Sequence, residues 1–486
     1  MPVESFMLTG KRTDYHFAID KYIHHSMWLG NLCDSFNLTK KQKVIKRDFE
    51  ILSSGINPIT KKQLIKENTT GKKRFGIEIV IPKPKTVSLV QVVAFEWDEN
   101  LAMELMNVDI NAYTSLIEFI EKEHVLYRVR SEKYREKIRS NSCITANFMH
   151  LFNSSDEQQA HTHWHCVLFP FTKNRNQYYA LQNPLIIRSS KLYGALYRSE
   201  LAKRLITCGY SLRLTDKKYG FFEIEGISDQ IKTLFSSRSN EIEKYKLEFK
   251  AHYHNAPGYK IAHLAKFKNR QKQSEKDVSK IIRSNVEKLE SAGFTFEHMC
   301  RLKMNAMTHE PINLAEVIYE IYRKEGEKLF KFSKERILKN IAIRAIVRGT
   351  GAYIDEIYKP FQGGDYVEVV KRFINQKIQK NERIQDDSGT RRGVVENYTG
   401  GVFELSKRGC QNARRAHEYF DKYCQNLNDA IYIAIDERIC IVRSEQNRER
   451  GETFGSYSGT ETMSEDILFN REDEVWDQPN IVFNPK

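Results

Sequence analysis

Between residues 161 and 165 the chain reads His-Thr-His-Trp-His and continues as Cys-Val-Leu-Phe. Alternate residues of a β-strand share one face, so a strand here projects His161, His163 and His165 together. On a helix, positions two apart do not face each other. The apolar continuation suits a buried strand whose imidazoles sit at its open end. Such a strand is a rack of metal ligands, and three neutral imidazoles leave coordination positions open, as a catalytic metal needs. His150 closes the preceding strand pattern, I-T-A-N-F-M-H, and is placed to meet the others across a strand pair. The competing reading makes each histidine an ordinary surface or core residue. Three in alternation at an internal position weigh against it.

The surrounding pattern predicts an α+β unit with mostly antiparallel strands. Ile77, Ile79 and Ile81 alternate over 75–81 and predict a half-buried strand that Pro82 and Pro84 end. Thr86 is then a candidate cap for a short helix, and Leu101, Leu105, Val108, Leu116, Ile117 and Ile120 recur at helical spacing. Ser142–Phe148 and His163–Phe171 read as two further strands. A helix from Ser190 carries Leu192, Leu196, Leu201 and Leu205, with Gly209 as its end signal. Tyr210–Leu214 and Gly220–Ile224 read as a hairpin, and Ser228–Phe249 as a charged helix. Residues 310–430 are rich in helical pattern. The boundaries expected are 1–300 for the α+β domain, 301–440 for a mostly helical region, and 441–486 for an acidic tail too polar to fold by itself.

Charge narrows the partner. The formal net charge is +14 and the isoelectric point about 9.1. From Gly451 onward eight acids face two bases, a net of −6, so the rest of the chain carries +20. That excess favours a polyanion. The eight cysteines form no C-x-x-C pair, which argues against a cysteine zinc site or a disulfide framework and for a reducing compartment. No apolar run is long enough for a membrane span, so no membrane insertion is expected. No G-x-x-x-x-G-K-[ST] loop occurs, so no ATP is expected. A histidine-held metal on a nucleic-acid-binding chain points to phosphodiester chemistry, which then needs a nucleophile: water for a plain nuclease, or a protein hydroxyl for a covalent transferase. Tyr15 and Tyr22, in D-Y-H-F-A-I-D-K-Y, are available. For phosphates and bases, the candidates are the cations Lys83, Lys85, Lys266, Lys268, Arg270 and Lys272, and the flat side chains Trp28 and Trp164.

These residues together resemble the MobF-class conjugative relaxases, the TraI/TrwC type of the His-hydrophobe-His endonucleases. Five segments carry the resemblance in order. W-L-G at 28–30 is similar to the family's Trp-x-Gly. G-I-N-P with T-K-K-Q-L (55–64) is similar to its P-x-T-G-x-x-L. I-E-I-V-I-P-K-P-K-T-V-S-L (77–89) resembles D-x-T-F-S-x-P-K-S-V-S. H-W-H-C-V-L-F-P-F-T-K follows, and then the block from A-L-Q-N-P-L-I-I to C-G-Y (180–210). The match spans roughly residues 1–300. It implies an antiparallel-sheet palm flanked by helices, and it implies His163 and His165 as the paired ligands, His150 as the third and His161 as a neighbour. The rival register, His161 with His163, breaks the downstream match.

The resemblance further implies a divalent metal, Mg²⁺ or Mn²⁺ with Zn²⁺ as the alternative. It implies a tyrosine, Tyr15 or Tyr22, that nicks single-stranded or hairpin DNA at a plasmid transfer origin and stays joined through a 5′-phosphotyrosine. Glu78 stands where the family has Asp. It is the candidate to orient a ligand histidine or take the tyrosine proton. The family's Tyr-Tyr pair is absent, since His16 follows Tyr15 and Ile23 follows Tyr22. Family members usually continue into a helicase. Here a separate helicase, accessory DNA-binding proteins and a type IV secretion coupling protein are the implied partners, in a bacterial cytoplasm with transport to a recipient cell. The same chemistry also fits a rolling-circle replication initiator. A non-catalytic, metal-stabilised DNA-binding protein is the remaining alternative.

Overall fold

The protein is described by a computed structural model over residues 4–9, 23–65, 74–130, 135–153, 158–252, 277–303, 313, 315, 317, 321, 334–362, 393–396 and 402–405. Its centre is one antiparallel five-stranded sheet in the order β1 (Glu4–Thr9), β3 (Arg74–Pro82), β7 (Ala160–Leu168), β6 (Thr145–Phe152), β2 (Ile23–Leu29). The strand expected at 142–148 begins at Thr145 and runs on to Phe152, which brings His150 inside it.

Register decides what each face carries. On one face, Ile77, Ile79 and Ile81 of β3 lie opposite Leu168, Cys166 and Trp164 of β7. All three isoleucines are fully buried. This face packs against α2 (Lys85–Trp97) and α3 (Glu99–His124), which the sequence pattern predicts as helices. The expected cap of α2 is corrected. Its N-cap is Pro84, and Thr86 instead gives its backbone N–H and its hydroxyl to Glu223 Oε2, each at 2.8 Å. Glu223 stands on β11 (Phe221–Ile224), which pairs with β10 (Leu212–Asp216) as the expected hairpin. A carboxylate from a distant hairpin thus satisfies the start of α2.

The other face carries the histidines at one end and a hydrophobic cluster below them. That cluster joins Ala146, Phe148, Val167 and Phe169 to Trp28 of β2 and to Phe49 and Leu52 of α1 (Lys46–Ser53). Gly30, just after β2, has φ of +103°, and its Cα lies against the Cys143 carbonyl, where any Cβ would collide. Only glycine fits there, which gives the W-L-G motif its physical reason.

α5 (Ser190–Thr207) ends at Cys208 with Gly209 at φ +93°. The charged helix expected over 228–249 is broken into α6 (Asp229–Leu234) and α7 (Ser237–His252). Two compact units are present, the first ending near residue 309 and including 346–354. The described part of the second holds helical segments, including most of α10 (Lys334–Val347), and a strand pair, Gly393–Glu396 with Val402–Leu405, that the helical pattern did not predict. Among the described residues no helix is long and apolar enough to cross a membrane. The expected tail, 441–486, lies outside the described residues.

Candidate metal centre

His150 on β6 lies directly opposite His163 on β7, and Phe148 opposite His165. The antiparallel register therefore sets His150 against the His163/His165 pair. The ring centroids of His150 are 5.3 Å from His163 and 4.5 Å from His165, and those two are 4.9 Å apart. One ligand nitrogen from each of the three falls within 4.8 Å of the others. His161 does not join this group. Two positions earlier on β7, it stacks on His163 at 5.2 Å, so the His163/His165 register is the one the geometry favours.

Both ligand histidines of β7 have their Nδ1 occupied. His165 Nδ1 donates to Glu78 Oε1 at 2.5 Å, and His163 Nδ1 donates to the His161 carbonyl at 2.8 Å. Those bonds place the ring proton on Nδ1 and leave Nε2 as the ligand atom. Burial, with the neighbouring His165 second, pushes His163 down to about 3, so its imidazole is neutral at ordinary pH. Burial likewise holds His161 well below the usual histidine range. Neutral imidazoles with Nδ1 fixed are what a divalent metal requires of its ligands, and the donor set fits one.

Behind the histidine strand the sheet is locked by a buried polar group. Trp164, between the two ligands in sequence, points to the opposite face. Its ring stacks on Tyr113 at 4.3 Å and its Nε1 donates to Asp109 Oδ2 at 2.9 Å. Asp109 also accepts from the Tyr197 hydroxyl at 2.6 Å and pairs with the Lys83 ammonium at 2.5 Å. Lys83 further donates to Gln91 Oε1 at 2.5 Å.

These contacts correct several expected DNA contacts. Lys83 has a side chain with no solvent exposure and an acidic partner, so it is not available to a phosphate. Lys85 is half-buried, donates to the Ala160 carbonyl at 2.6 Å, and is pushed by burial down to about 8. Trp28 and Trp164 are fully buried and offer no face to a base. Trp28 stacks on Phe169 in the hydrophobic cluster. Tyr15, Tyr22, Lys266, Lys268, Arg270 and Lys272 lie outside the described residues. Sequence reading missed Asp109. Its signal was an acid on the apolar stripe of a helix, in line with Leu105, Ala112 and Leu116.

A three-histidine rack with a carboxylate behind one ligand, on the face of an antiparallel sheet, defines a metal-dependent nuclease-type palm. Residues 6–291 match the TrwC relaxase family, and the chain belongs to that family. Among solved structures, it is similar to the conjugative relaxase TrwC in complex with OriT DNA, both metal-free and metal-bound. Each is 24% identical with a TM-score of 0.52, over 60% of this chain and 99% of the other. TrwC complexed with a 27-mer DNA comprising the recognition hairpin and the cleavage site is 25% identical, with the same TM-score and coverage. No curated protein matches the chain. The α+β palm expected from sequence is the fold found, and family membership sets the relaxase reading above the replication initiator and the non-catalytic protein.

Proposed function

We propose that this relaxase nicks one strand of a plasmid transfer origin, presented as single-stranded or hairpin DNA, by tyrosine transesterification. The observation that carries the reading is the His150, His163, His165 group with Glu78 on His165, inside the segment that matches the family. When bound, a divalent metal such as Mg²⁺ or Mn²⁺ polarises the non-bridging oxygens of the scissile phosphate. The chain supplies the rest. His163 and His165 present Nε2, the His161 carbonyl and Glu78 hold their rings, and a tyrosine hydroxyl attacks phosphorus. The new bond is Tyr O–P, the bond broken is P–O3′, and the phenol proton ends on the 3′ oxygen. The products are a 5′-phosphotyrosine and a free 3′-OH. A phosphodiester replaces a phosphodiester, so rejoining needs no ATP.

Tyr15 and Tyr22 are the proposed nucleophiles. Tyr22 directly precedes Ile23, and Ile23 lies opposite His150, so β2 enters the sheet at the histidine end. We assign the nicking unit to residues 1–300. Accessory DNA-binding proteins, a helicase activity and a secretion coupling protein complete the proposed cytoplasmic assembly. The test is incubation of the protein with an end-labelled single strand from the origin region of its own replicon and Mn²⁺, followed by peptide mapping. The expected result is a covalent adduct on Tyr15 or Tyr22 that the Tyr15→Phe/Tyr22→Phe double variant loses while retaining DNA binding. A free 5′-phosphate without adduct would make it a water-using nuclease instead.

A further inference from the structure

A strip of cations runs along one edge of the sheet. From Asn37 to Arg47, five of eleven residues are basic (Lys40, Lys41, Lys43, Lys46 and Arg47) and none is acidic. All five are exposed. The course of this segment is fixed by edge strand β2. The Lys41 N–H donates to the Trp28 carbonyl at 2.7 Å, the Trp28 N–H to the Gln42 carbonyl at 3.0 Å, and the Val44 N–H to Ser26 Oγ at 3.3 Å. Trp28 lies opposite Ala146 and Ile23 opposite His150. The segment therefore climbs from mid-sheet toward the histidine end. The five strand steps from Trp28 to Ile23 correspond to about 17 Å.

Two further features point to an anion. The N-cap of α1 is Ile45, which supplies no side-chain acceptor, and its first turn sets the two exposed cations Lys46 and Arg47 beside a single, buried acid, Asp48. A helix start repels cations and attracts phosphate, so basic residues placed there are unfavourable until an anion binds. Local acids offset little of the charge. Arg47 Nε donates to Asp48 at 3.1 Å, Lys46 lies 4.0 Å from Glu50, and Lys40 donates to Asn31 Oδ1 at 2.7 Å. Among the described residues Lys41 and Lys43 have no carboxylate partner. The strip also lacks an exposed ring, since the flanking Phe36 and Phe49 are both buried. Single-strand sites combine cations with stacking surfaces, whereas a duplex backbone asks only for cations.

We propose that the Lys40–Arg47 strip docks the phosphate backbone of a DNA duplex, the stem next to the nicked strand, and leads it along β2 toward the histidines. This rests on the nicking function proposed above. The test uses the full chain with Lys40→Gln, Lys41→Gln and Lys43→Gln combined. Affinity is measured over a salt series for an origin hairpin with its single-stranded flank, and for the flank alone. Each duplex phosphate contact contributes about 0.9 to the slope of log affinity against log salt. The hairpin slope of the triple variant should be shallower by about 2.7, and that of Arg47→Gln alone by about 0.9, with binding and adduct yield on the flank unchanged. An unaltered hairpin slope, or equal weakening on both DNAs, would overturn the proposal. Failure of the nicking reading itself shows separately, as no adduct on the flank from the unsubstituted chain.

Discussion

Glu78 Oε1 accepts the Nδ1 proton of His165 at 2.5 Å, although the two residues come from neighbouring strands and are not directly opposite in register. Glu78 faces Val167, and its side chain reaches diagonally to His165. The additional methylene relative to Asp gives the carboxylate that reach, and the bond fixes both the tautomer and the ring plane.

Loss of this support should show in metal binding before it shows in folding. Partners behind a ligand histidine are typically worth 10–100-fold in affinity. Glu78→Gln keeps an acceptor but loses the charge and is expected at the lower end. Glu78→Ala is expected at the upper end. Titration calorimetry with Mn²⁺ measures both, and full affinity in Glu78→Ala would remove the residue from the site.

The ligand register makes a second, sharper expectation. His163→Ala removes the ring facing both His150 and His165, and should abolish adduct formation together with metal uptake. His161→Ala removes only a stacked neighbour of His163 and should retain metal binding. If His161→Ala loses the metal while His165→Ala keeps it, the ligands are His161 and His163.

The buried pair of Lys83 and Asp109 should be costly to break and cheap to replace. Asp109→Asn leaves an ammonium in the interior, and breaking a buried pair typically costs about 3–5 kcal/mol. Replacing both, Lys83→Met with Asp109→Asn, removes both charges while keeping a partner for Trp164 and Tyr197. It should regain most of that loss. Urea midpoints of the two singles and the double test this, and additive singles would show that the pair is not coupled.

How much of this was legible depended on the distance over which each feature is determined. The histidine strand and the Ile77–Ile81 strand were readable because alternation is local. Their pairing was foreseeable only through His150, whose place inside β6 shows once the register is known. Lys83 and Trp28 misled because a sequence gives the charge or ring of a residue without the face it occupies. Lys83 follows a strand that ends against α3, and there the stripe residue Asp109 draws its ammonium inward. Trp28 alternates onto the face that Phe49 and Phe169 cover. The Lys40–Arg47 strip was visible as composition, but only its hydrogen bonds to Trp28 and Ser26 show where it leads.

Alkaline pH gives the last prediction. Cys33 and Cys143 are fully buried thiols. Burial, chiefly, pushes Cys33 up to about 12 and holds Cys143 well above the usual thiol range, with the nearby Glu121 charge adding to both. In the unfolded chain both ionise near pH 9. Above that pH the native state keeps protons that the unfolded state releases, so the stability these thiols contribute is complete below about pH 9 and declines as pH rises toward 12. Each contributes a slope of up to about 1.4 kcal/mol per pH unit. Lys85 acts oppositely. Burial lowers it from 10.5 to about 8, so over that interval the unfolded chain holds the additional proton and stability rises with pH. Lys83, lowered from the usual lysine value by burial, acts in the same sense as Lys85, while burial also pushes the Cys166 thiol up to about 12. Three thiols against two ammoniums leave a net decline between about pH 9 and 10.5. Guanidinium midpoints taken across that interval should fall for the unsubstituted chain. The Cys33→Ala/Cys143→Ala variant starts lower because of its cavities, but its slope should flatten or reverse toward the Lys85 sign. An unchanged downward slope in that variant would place the alkaline sensitivity elsewhere.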